Sequence, residues 1–237
     1  MFHKITGWVW KNKIKSLIYF FILFIGFEYF SLPGYSIERL AEVNPKFTAL
    51  MKQRQNEKED DGKKIKPVQS WVPINRISQH MIHAIIVAED GTFYEHGGVD
   101  WYEVQESIER NLEKGKAVRG ASTITQQLAK NLFLSTSKDP LRKLKELIIT
   151  LRMERILKKQ RILEIYLNVI EWGDGLYGVE AASQKYFGKP ASMLDRWEAV
   201  CLVAVVPNPL KHKPTEETRW LNFRTNIVLN RMEARGW

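Results

Sequence analysis

Helix-start signals recur along this 237-residue chain and constrain its fold more than any other feature. Ser78 precedes the apolar run MIHAIIVA, and Asp100 with Glu103 forms an Asp-x-x-Glu capping pattern before VQESIERNL. Apolar residues recur at the helical period in LRKLKELIITL, and further apolar helices are indicated at RILEIYLNVI, VEAASQKYF, WEAVCLVAVV and NFRTNIVLNRMEA. The sequence shows no run of alternating strands and no internal repeat. It therefore predicts an all-α, mostly helical globule beyond the N-terminal region.

Residues 16–33, SLIYFFILFIGFEYFSLP, form an apolar segment that is interrupted by one formal charge, Glu28. The apolar part is shorter than the roughly 20 residues of a typical spanning helix, but an acidic residue near one end is tolerated. A cleaved signal peptide is the main alternative, although the exit FEYFSLPG lacks a small-residue cleavage site. We expect a retained transmembrane anchor. Lysines before the segment and few after it place residues 1–15 in the cytoplasm and the rest of the chain outside.

Residues 34–67 follow the anchor and end in the mixed-charge stretch KQRQNEKEDDGKKIKP. This composition predicts a solvated juxtamembrane stalk or a marginal helix, so residues 68–237 are expected to form the functional domain. A formal net charge of +9 and a pI near 9.5 favour an anionic partner, which could be nucleic acid, lipid headgroups or a phosphorylated substrate. The single cysteine, Cys201, lies in an apolar run and indicates a buried, unreactive thiol.

The segment VAEDGTFYEHGGVDW places two adjacent carboxylates, Glu89 and Asp90, at the end of an apolar run. They could be simple helix caps, with His96 as an ordinary loop histidine. A carboxylate beside apolar residues at a cleft wall instead has a raised pKa and becomes a usable general base or acid. Because adjacent carboxylates repel each other, we expect one to be catalytic and the other to be held by hydrogen bonds.

Two further segments combine cations with hydroxyl or carboxylate groups. Ser122 can open the helix TITQQLAKNLF, whose start would offer donors to an anion, and Lys130 lies two turns further along. Arg142 and Lys143 lie four and three residues before Glu146, so the three side chains project from neighbouring positions of one helix. A plain cap and an exposed salt-bridged face are the structural alternatives. The functional alternative is a site that grips a diphosphate beside an acid.

Five segments occur in the order and at the approximate spacing of glycosyltransferase family 51, the peptidoglycan polymerases. They are EDGTFYEHGGVD, RGASTITQQLAKNLFL, RKLKELIITLRME, KKQRILEIYLN and GLYGVEAASQKYFGKP. The chain most closely resembles the monofunctional biosynthetic peptidoglycan transglycosylases, which carry the polymerase domain alone behind one membrane helix. The resemblance covers about Trp71 to Pro209. It implies a lysozyme-like, mostly helical domain with a long cleft between two lobes.

The resemblance implies an enzyme that joins lipid-linked disaccharides. The growing glycan on undecaprenyl diphosphate would be the donor and the 4-hydroxyl of lipid II the acceptor, with inversion at the anomeric carbon. Expected partners are lipid II, the growing glycan strand, membrane lipid and other cell-wall synthesis proteins, and nucleic acid is not expected. The expected location is the bacterial cytoplasmic (inner) membrane, with one pass and a periplasmic catalytic domain. No cofactor is required, although a divalent cation such as Mg²⁺ or Mn²⁺ at the diphosphate is an open alternative.

The resemblance also assigns roles to individual residues. Glu89 matches the catalytic glutamate that would deprotonate the acceptor hydroxyl, and Glu146 matches the second glutamate, which would assist at the diphosphate. The other matched residues are expected to contact the diphosphate (Lys130, Lys143 and their neighbour Arg142), to line the donor site (Ser122, Thr123 and Gln127) or to organise the first loop (Asp90 and His96). Many relatives carry a basic or polar pair after Glu-Asp, where this chain has Gly91 and Thr92. This protein would then use another cation there or bind the diphosphate more weakly.

Two local patterns resemble sites of other kinds. Ser135–Lys138 matches the S-x-x-K pattern of penicillin-reactive serine enzymes, but the partner motifs are absent and no room remains for a transpeptidase domain. His80 and His83 lie three apart on a predicted helix and would suit a metal only with further ligands. Surface histidines are the simpler interpretation, so we predict no metal site.

Two other functions compete with polymerisation. A lysozyme-like hydrolase or lytic transglycosylase cleaves the same glycan with one catalytic glutamate, but it would leave Lys130, Lys143 and Glu146 unexplained. A non-catalytic scaffold or a nucleic-acid binder would use the basic charge alone. The predicted topology places the domain away from nucleic acid.

Overall fold

The computed structural model describes residues 12–31, 34–62, 66–116, 120–134 and 140–237. In these residues the chain is mostly helical, which confirms the predicted class, and the lysozyme-like arrangement of two lobes stays a prediction. The α-helices are α1 (Lys13–Ser31), α2 (Gly34–Arg39), α3 (Ala49–Asp60), α4 (Gln79–Glu89), α5 (Trp101–Glu113), α6 (Ile124–Phe133), α7 (Pro140–Ile156), α8 (Lys159–Val169), α9 (Val179–Phe187), α10 (Arg196–Val205) and α11 (Arg219–Glu233). Two 3-10 helices span Ile74–Arg76 and Ala191–Met193, and the strands are β1 (Val68–Gln69), β2 (Glu171–Gly173) and β3 (Leu176–Tyr177).

Helix α4 lies in the core and ends at Glu89. It packs against α10 and α11, and its apolar residues between Met81 and Val87 are buried. Ser78 caps its start as predicted: the hydroxyl accepts a hydrogen bond from the His80 N–H and donates one to the Leu194 carbonyl over 2.7 Å. The capped start and the packed sides hold the end of the helix, where the candidate base lies, in one position.

Helix α6 packs against α7 and α8 and begins one residue later than predicted. Its N-cap is Thr123 and not Ser122. Both residue types cap helices well, so the local sequence does not decide between them. Thr123 forms a reciprocal capping box with Gln126, in which each side chain accepts from the other residue's backbone N–H.

The three strands form a small sheet in the order β1-β3-β2, in which β1 and β3 are parallel and β2 and β3 are antiparallel. The guanidinium of Arg54 in α3 donates to both carboxylate oxygens of Glu171 in β2. Leu50 and Met51 of α3 are buried against Tyr177. The segment 34–67, predicted as a solvated stalk or a marginal helix, thus contains a helix that packs onto the domain.

No helix in the described part of the chain is both long and apolar enough to span a membrane. The anchor at 16–33 therefore stays a prediction, and residues 32 and 33 lie outside the described residues. Most of the predicted cytoplasmic segment 1–15 also lies outside the described residues. The same is true of the S-x-x-K pattern at Ser135–Lys138.

Candidate active site

A cavity of about 570 Å³ opens at the end of α4. The predicted site residues that line it are Glu89, Asp90, Ser122 and Thr123. Four segments meet there: the end of α4 with the residue after it, the start of α5, the residues before α6, and the last helix, α11, with the turn after it. Cavities of this size hold small-molecule portions of substrates, so this is the candidate active site.

Glu89 is the last residue of α4, and its carboxylate has one hydrogen-bond donor. Gln127 Nε2 donates to Glu89 Oε2 over 2.7 Å, and Oε1 accepts no hydrogen bond from the described residues. Burial raises the pKa of Glu89 above its usual value, against the lowering effects of the Gln127 hydrogen bond and of nearby cations. A carboxylate with a raised pKa and one free oxygen suits a general base.

Gln127 is itself oriented by a buried tyrosine. Tyr166 is fully buried, and its hydroxyl donates to Gln127 Oε1 over 3.0 Å. Burial, together with the charges of Glu89 and Asp90, raises the pKa of Tyr166 well above its usual value, so the hydroxyl keeps its proton and acts as a donor. The amide oxygen therefore faces Tyr166 and the amide nitrogen faces Glu89.

Asp90 is buried and joins two elements of the site. One carboxylate oxygen bonds His96 Nε2 over 2.8 Å, and the other accepts from the backbone N–H of Ile124 at the start of α6. The Gly98 N–H donates to His96 Nδ1, so the ring proton is on Nε2, which donates to Asp90. Asp90 and His96 thus tie the end of α4, the following loop and the start of α6 together.

Gly98 allows this loop to pack closely. Its φ of +95° lies in the region that favours glycine, and a Cβ there would come within 2.7 Å of Thr150 Cγ2 and 2.8 Å of Glu154 Cγ. The Gly98 carbonyl accepts a hydrogen bond from the Thr123 hydroxyl. Thr123 is therefore buried in the scaffold of the site, whereas Ser122 is exposed at its rim.

Glu146, Arg142 and Lys143 form a second cluster on α7, and none of them lines the cavity. Glu146 is only 3% exposed; Arg142 Nη1 donates to its Oε2 over 2.8 Å, and Lys143 Nζ donates to its Oε1. Lys130 on α6 lies near both clusters. Burial lowers the pKa of Lys130, the carboxylates of Glu146 and Glu89 raise it, and the two α7 cations lower it further. Lys130 thus lies within the electrostatic reach of both glutamates.

The three arginines of the cavity, Arg224, Arg231 and Arg235, were not predicted from the sequence. They come from α11 and the turn after it. Arg231 Nη1 donates to the Val87 carbonyl over 3.1 Å, which places a cation at the C-terminal end of α4, where the helix dipole favours it. Their spacing of seven and then four residues puts them on one face of a helix, and this is the signal that could have found them.

The described residues contain no group of three or more His, Cys, Asp and Glu side chains arranged to hold a metal ion. Of the two histidines on α4, His83 stacks on the Trp237 ring, with 4.2 Å between the ring centroids. Its pKa is lowered by burial and by the nearby His80.

Comparison with known proteins adds an independent result. The transglycosylase family model matches residues 59–233. A biosynthetic peptidoglycan transglycosylase of Nitrosospira multiformis is 42% identical over 227 residues, which are 96% of each chain. Proteins of the same name from Janthinobacterium sp. and Aromatoleum aromaticum are 46% and 48% identical, over 81% and 73% of this chain and 83% and 75% of theirs. With a family match over most of its length and relatives this similar along nearly all of it, the chain belongs to the biosynthetic peptidoglycan transglycosylases.

Proposed function

We propose that this protein polymerises lipid II into the glycan strands of peptidoglycan and so takes part in building the cell wall. The growing glycan on undecaprenyl diphosphate is the donor, and the 4-hydroxyl of the incoming lipid II is the acceptor. The acceptor oxygen loses its proton and attacks the anomeric carbon from the side opposite the diphosphate. The bond to the diphosphate breaks with inversion, and the diphosphate leaves with the bonding electrons.

The observation that carries this proposal is the state of Glu89 in the cavity. Its raised pKa makes it a stronger base than an exposed glutamate, and its Oε1 has no donor among the described residues. Glu89 therefore takes the proton of the acceptor hydroxyl. Gln127 and, behind it, Tyr166 hold the carboxylate in place through the 2.7 Å and 3.0 Å hydrogen bonds.

Lys130, Arg142 and Lys143 are proposed to bind the donor's leaving diphosphate. Negative charge grows on that group as its bond breaks, and fixed cations stabilise it most at that point. Glu146 holds the two α7 cations in position through its hydrogen bonds with them. Ser122, Thr123 and Gln127 are proposed to line the donor site, and Asp90 and His96 to organise the loop that follows the base.

The proposed reaction requires no cofactor. Both Glu146 oxygens accept hydrogen bonds from Arg142 and Lys143, so a divalent cation that bridges Glu146 and the diphosphate would have to displace one of them. Addition of EDTA to the polymerisation assay tests this point. An unchanged rate is expected, and a rate that falls and is restored by Mg²⁺ or Mn²⁺ would show that a cation takes part.

We further propose that residues 16–33 anchor the protein in the cytoplasmic membrane, with residues 1–15 inside and the catalytic domain outside. Both substrates are tethered to a lipid, so confinement to the same surface raises their effective concentration. Protease treatment of spheroplasts tests the orientation. The domain should be digested from outside in intact spheroplasts, and protection of the domain would reverse the proposed topology.

The central experiment compares three detergent-solubilised proteins on labelled lipid II: the wild type, Glu89→Gln and Glu113→Gln. Glu113 is exposed at the end of α5, so its variant has the same charge change away from the cavity. The wild type and Glu113→Gln should make a muramidase-sensitive polymer. Glu89→Gln should be slower by about 100-fold to 10,000-fold, the range that a general base contributes. A wild type that only shortens preformed glycan would instead be a lytic enzyme.

A further inference from the structure

Arg224, Arg231 and Arg235 form a cationic row along one wall of the cavity. Arg224 and Arg231 are separated by two turns of α11, or about 10 Å at the helical rise. No carboxylate in the described part of the chain forms an ion pair with any of the three. Arg224 also has a buried Nε–H without a hydrogen-bond acceptor among those residues. Buried donors almost always have acceptors, so this N–H of Arg224 is available to an acceptor from outside the described residues.

Two acidic residues of the cavity, Asp90 and Asp100, do not pair with these arginines. Asp90 accepts hydrogen bonds from the His96 ring and the Ile124 N–H, and Asp100 accepts from the Thr92 hydroxyl and the Glu103 N–H. Their oxygens are therefore occupied by donors of the scaffold. A ligand anion would meet the Arg224 and Arg235 guanidinium groups and the N–H groups of Arg231 that Val87 does not engage.

Gly91 leaves the space that Arg235 occupies. A Cβ built at Gly91 would lie 3.2 Å from Arg235 Nη2. The φ of Gly91 is not positive, so its backbone does not require glycine. Because Gly91 has no side chain, the Arg235 guanidinium can approach the backbone there. A cation from the turn after α11 thus lies beside the residue that follows Glu89 and Asp90.

The arginine row and the Lys130 cluster are separate groups. The row lines the cavity, whereas Lys130, Arg142 and Lys143 do not. Both groups act on the base: the charges of Arg224, Arg231 and Lys130 each lower the pKa of Glu89. One base therefore lies near two cationic groups. The polymerisation proposed above brings two lipid-linked diphosphates into the site: the donor's is bonded to the reacting anomeric carbon, and the acceptor's lies one disaccharide away from the 4-hydroxyl that Glu89 deprotonates.

We propose that Arg224, Arg231 and Arg235 bind the diphosphate of the incoming lipid II, the acceptor, while the Lys130 cluster holds the diphosphate of the donor. This inference rests on the proposed function. Guanidinium groups suit a diphosphate because their paired N–H groups match two phosphate oxygens at once. In this chain Arg235 takes the position next to the base that a side chain at residue 91 would otherwise occupy.

Steady-state kinetics separate the two substrates. A lipid-linked tetrasaccharide is held at a saturating concentration as the donor, and lipid II is varied as the acceptor. Arg224→Gln and Arg235→Gln should each raise the KM for lipid II about tenfold, the ratio that 1.4 kcal/mol produces. Arg219→Gln, an exposed arginine at the start of the same helix that does not line the cavity, should leave it unchanged. A loss in kcat alone, or an equal effect of Arg219→Gln, overturns the proposal.

Gly91→Ala tests the packing without changing a charge. The added methyl should push the Arg235 guanidinium aside and raise the KM for lipid II in the same direction as Arg235→Gln. In the Arg235→Gln background the same Gly91→Ala change should have no further effect, because the group it displaces is gone. Additive effects of the two substitutions contradict the assigned contact.

A binding measurement keeps this inference apart from the proposed function. Inorganic pyrophosphate is titrated into the full chain, and the arginine Nε–H signals are followed by NMR. The signals of Arg224 and Arg235 should shift, and the double Gln variant should bind about tenfold more weakly at this site than Arg219→Gln. Shifts without lipid II polymerisation would overturn the proposed function alone. Polymerisation without these shifts would overturn the arginine site alone.

Discussion

Tyr166 orients Glu89 through a single amide. Its hydroxyl donates to Gln127 Oε1 over 3.0 Å, and Gln127 Nε2 donates to Glu89 Oε2 over 2.7 Å. An ionised Glu89 can only accept, so a flipped amide would turn its oxygen toward the carboxylate and lose the hydrogen bond to Glu89. A residue that does not line the cavity thereby determines which oxygen of the candidate base is free.

Tyr166→Phe should lower kcat by about fivefold, because loss of a hydrogen bond worth about 1 kcal/mol lets the amide rotate away from Glu89. KM should change little, since Tyr166 does not line the cavity. Polymerisation kinetics on labelled lipid II measure both quantities. Tyr177→Phe is the control: it removes another buried hydroxyl, bonded to Glu171, which does not line the cavity. Equal losses of kcat in both variants would indicate a general effect on folding.

The pH profile of kcat/KM should report the pKa of Glu89 in the free enzyme. The base is active when deprotonated, so activity falls as the pH drops through a value above the usual 4.5 of a glutamate. The Gln127 hydrogen bond lowers this pKa. Gln127→Met should therefore raise it and move the acidic limb to higher pH. Gln105→Met, on the exposed face of α5, should leave the limb in place. A shift to lower pH would contradict the proposed base.

Much of the helical scaffold could be predicted because its signals are local. Ser78 and Asp100 cap α4 and α5 as predicted, and Gly188 ends α9 in the left-handed conformation. The small sheet was not predicted, since strands of two or three residues are too short to show alternation. The cap of α6 was placed one residue early, at Ser122. The choice of Thr123 depends on its hydrogen bond to Gly98, which no local pattern contains.

The site was predicted only where its residues lie in contiguous motifs. Glu89 and Asp90 could be singled out from the apolar run before them. Arg231 was not singled out, because its contact with Val87 spans 144 positions of sequence and its helical spacing to Arg224 shows only that the two share a face. The helix of Arg54 was likewise assigned to a solvated stalk or a marginal helix, because its partner Glu171 lies 117 positions away. Contacts of this kind depend on the tertiary fold. From the sequence alone, a charged residue in a solvated stretch therefore cannot be distinguished from one that forms a buried ion pair.

Arg142→Met should lower the free energy of unfolding by about 1–3 kcal/mol. This is the usual loss when a buried polar group, here the Glu146 carboxylate, loses one of its hydrogen-bond partners. Glu146 is almost fully buried and would retain only Lys143 as a cationic donor. Urea denaturation measures the change. Arg110→Met is the matched control, because Arg110 pairs with Glu106 at the same i,i+4 spacing but on an exposed face. Its effect should be about 0.5 kcal/mol. A comparable loss in both variants would mean that burial of Glu146 carries no special cost.

Gly98→Ala should both destabilise the protein and slow polymerisation. The new Cβ would have a positive φ and would lie 2.7 Å from Thr150 Cγ2, whose residue is fully buried and cannot move aside. Strain of this kind costs about 1–3 kcal/mol. Any shift of Gly98 also moves its hydrogen bonds to His96 and Thr123, which position Asp90 and the start of α6. Both the thermal midpoint and kcat should therefore fall.

Gly97→Ala separates this effect from the simple loss of a glycine. Gly97 is exposed, its φ is not positive, and a Cβ there would meet no atom within 4 Å. Differential scanning calorimetry and polymerisation rates should find this variant close to the wild type. If both alanines lowered stability and kcat equally, general loop stiffness and not the close packing of Gly98 would control the site. A stable Gly98→Ala variant with full activity would show that the loop can relax without moving Asp90.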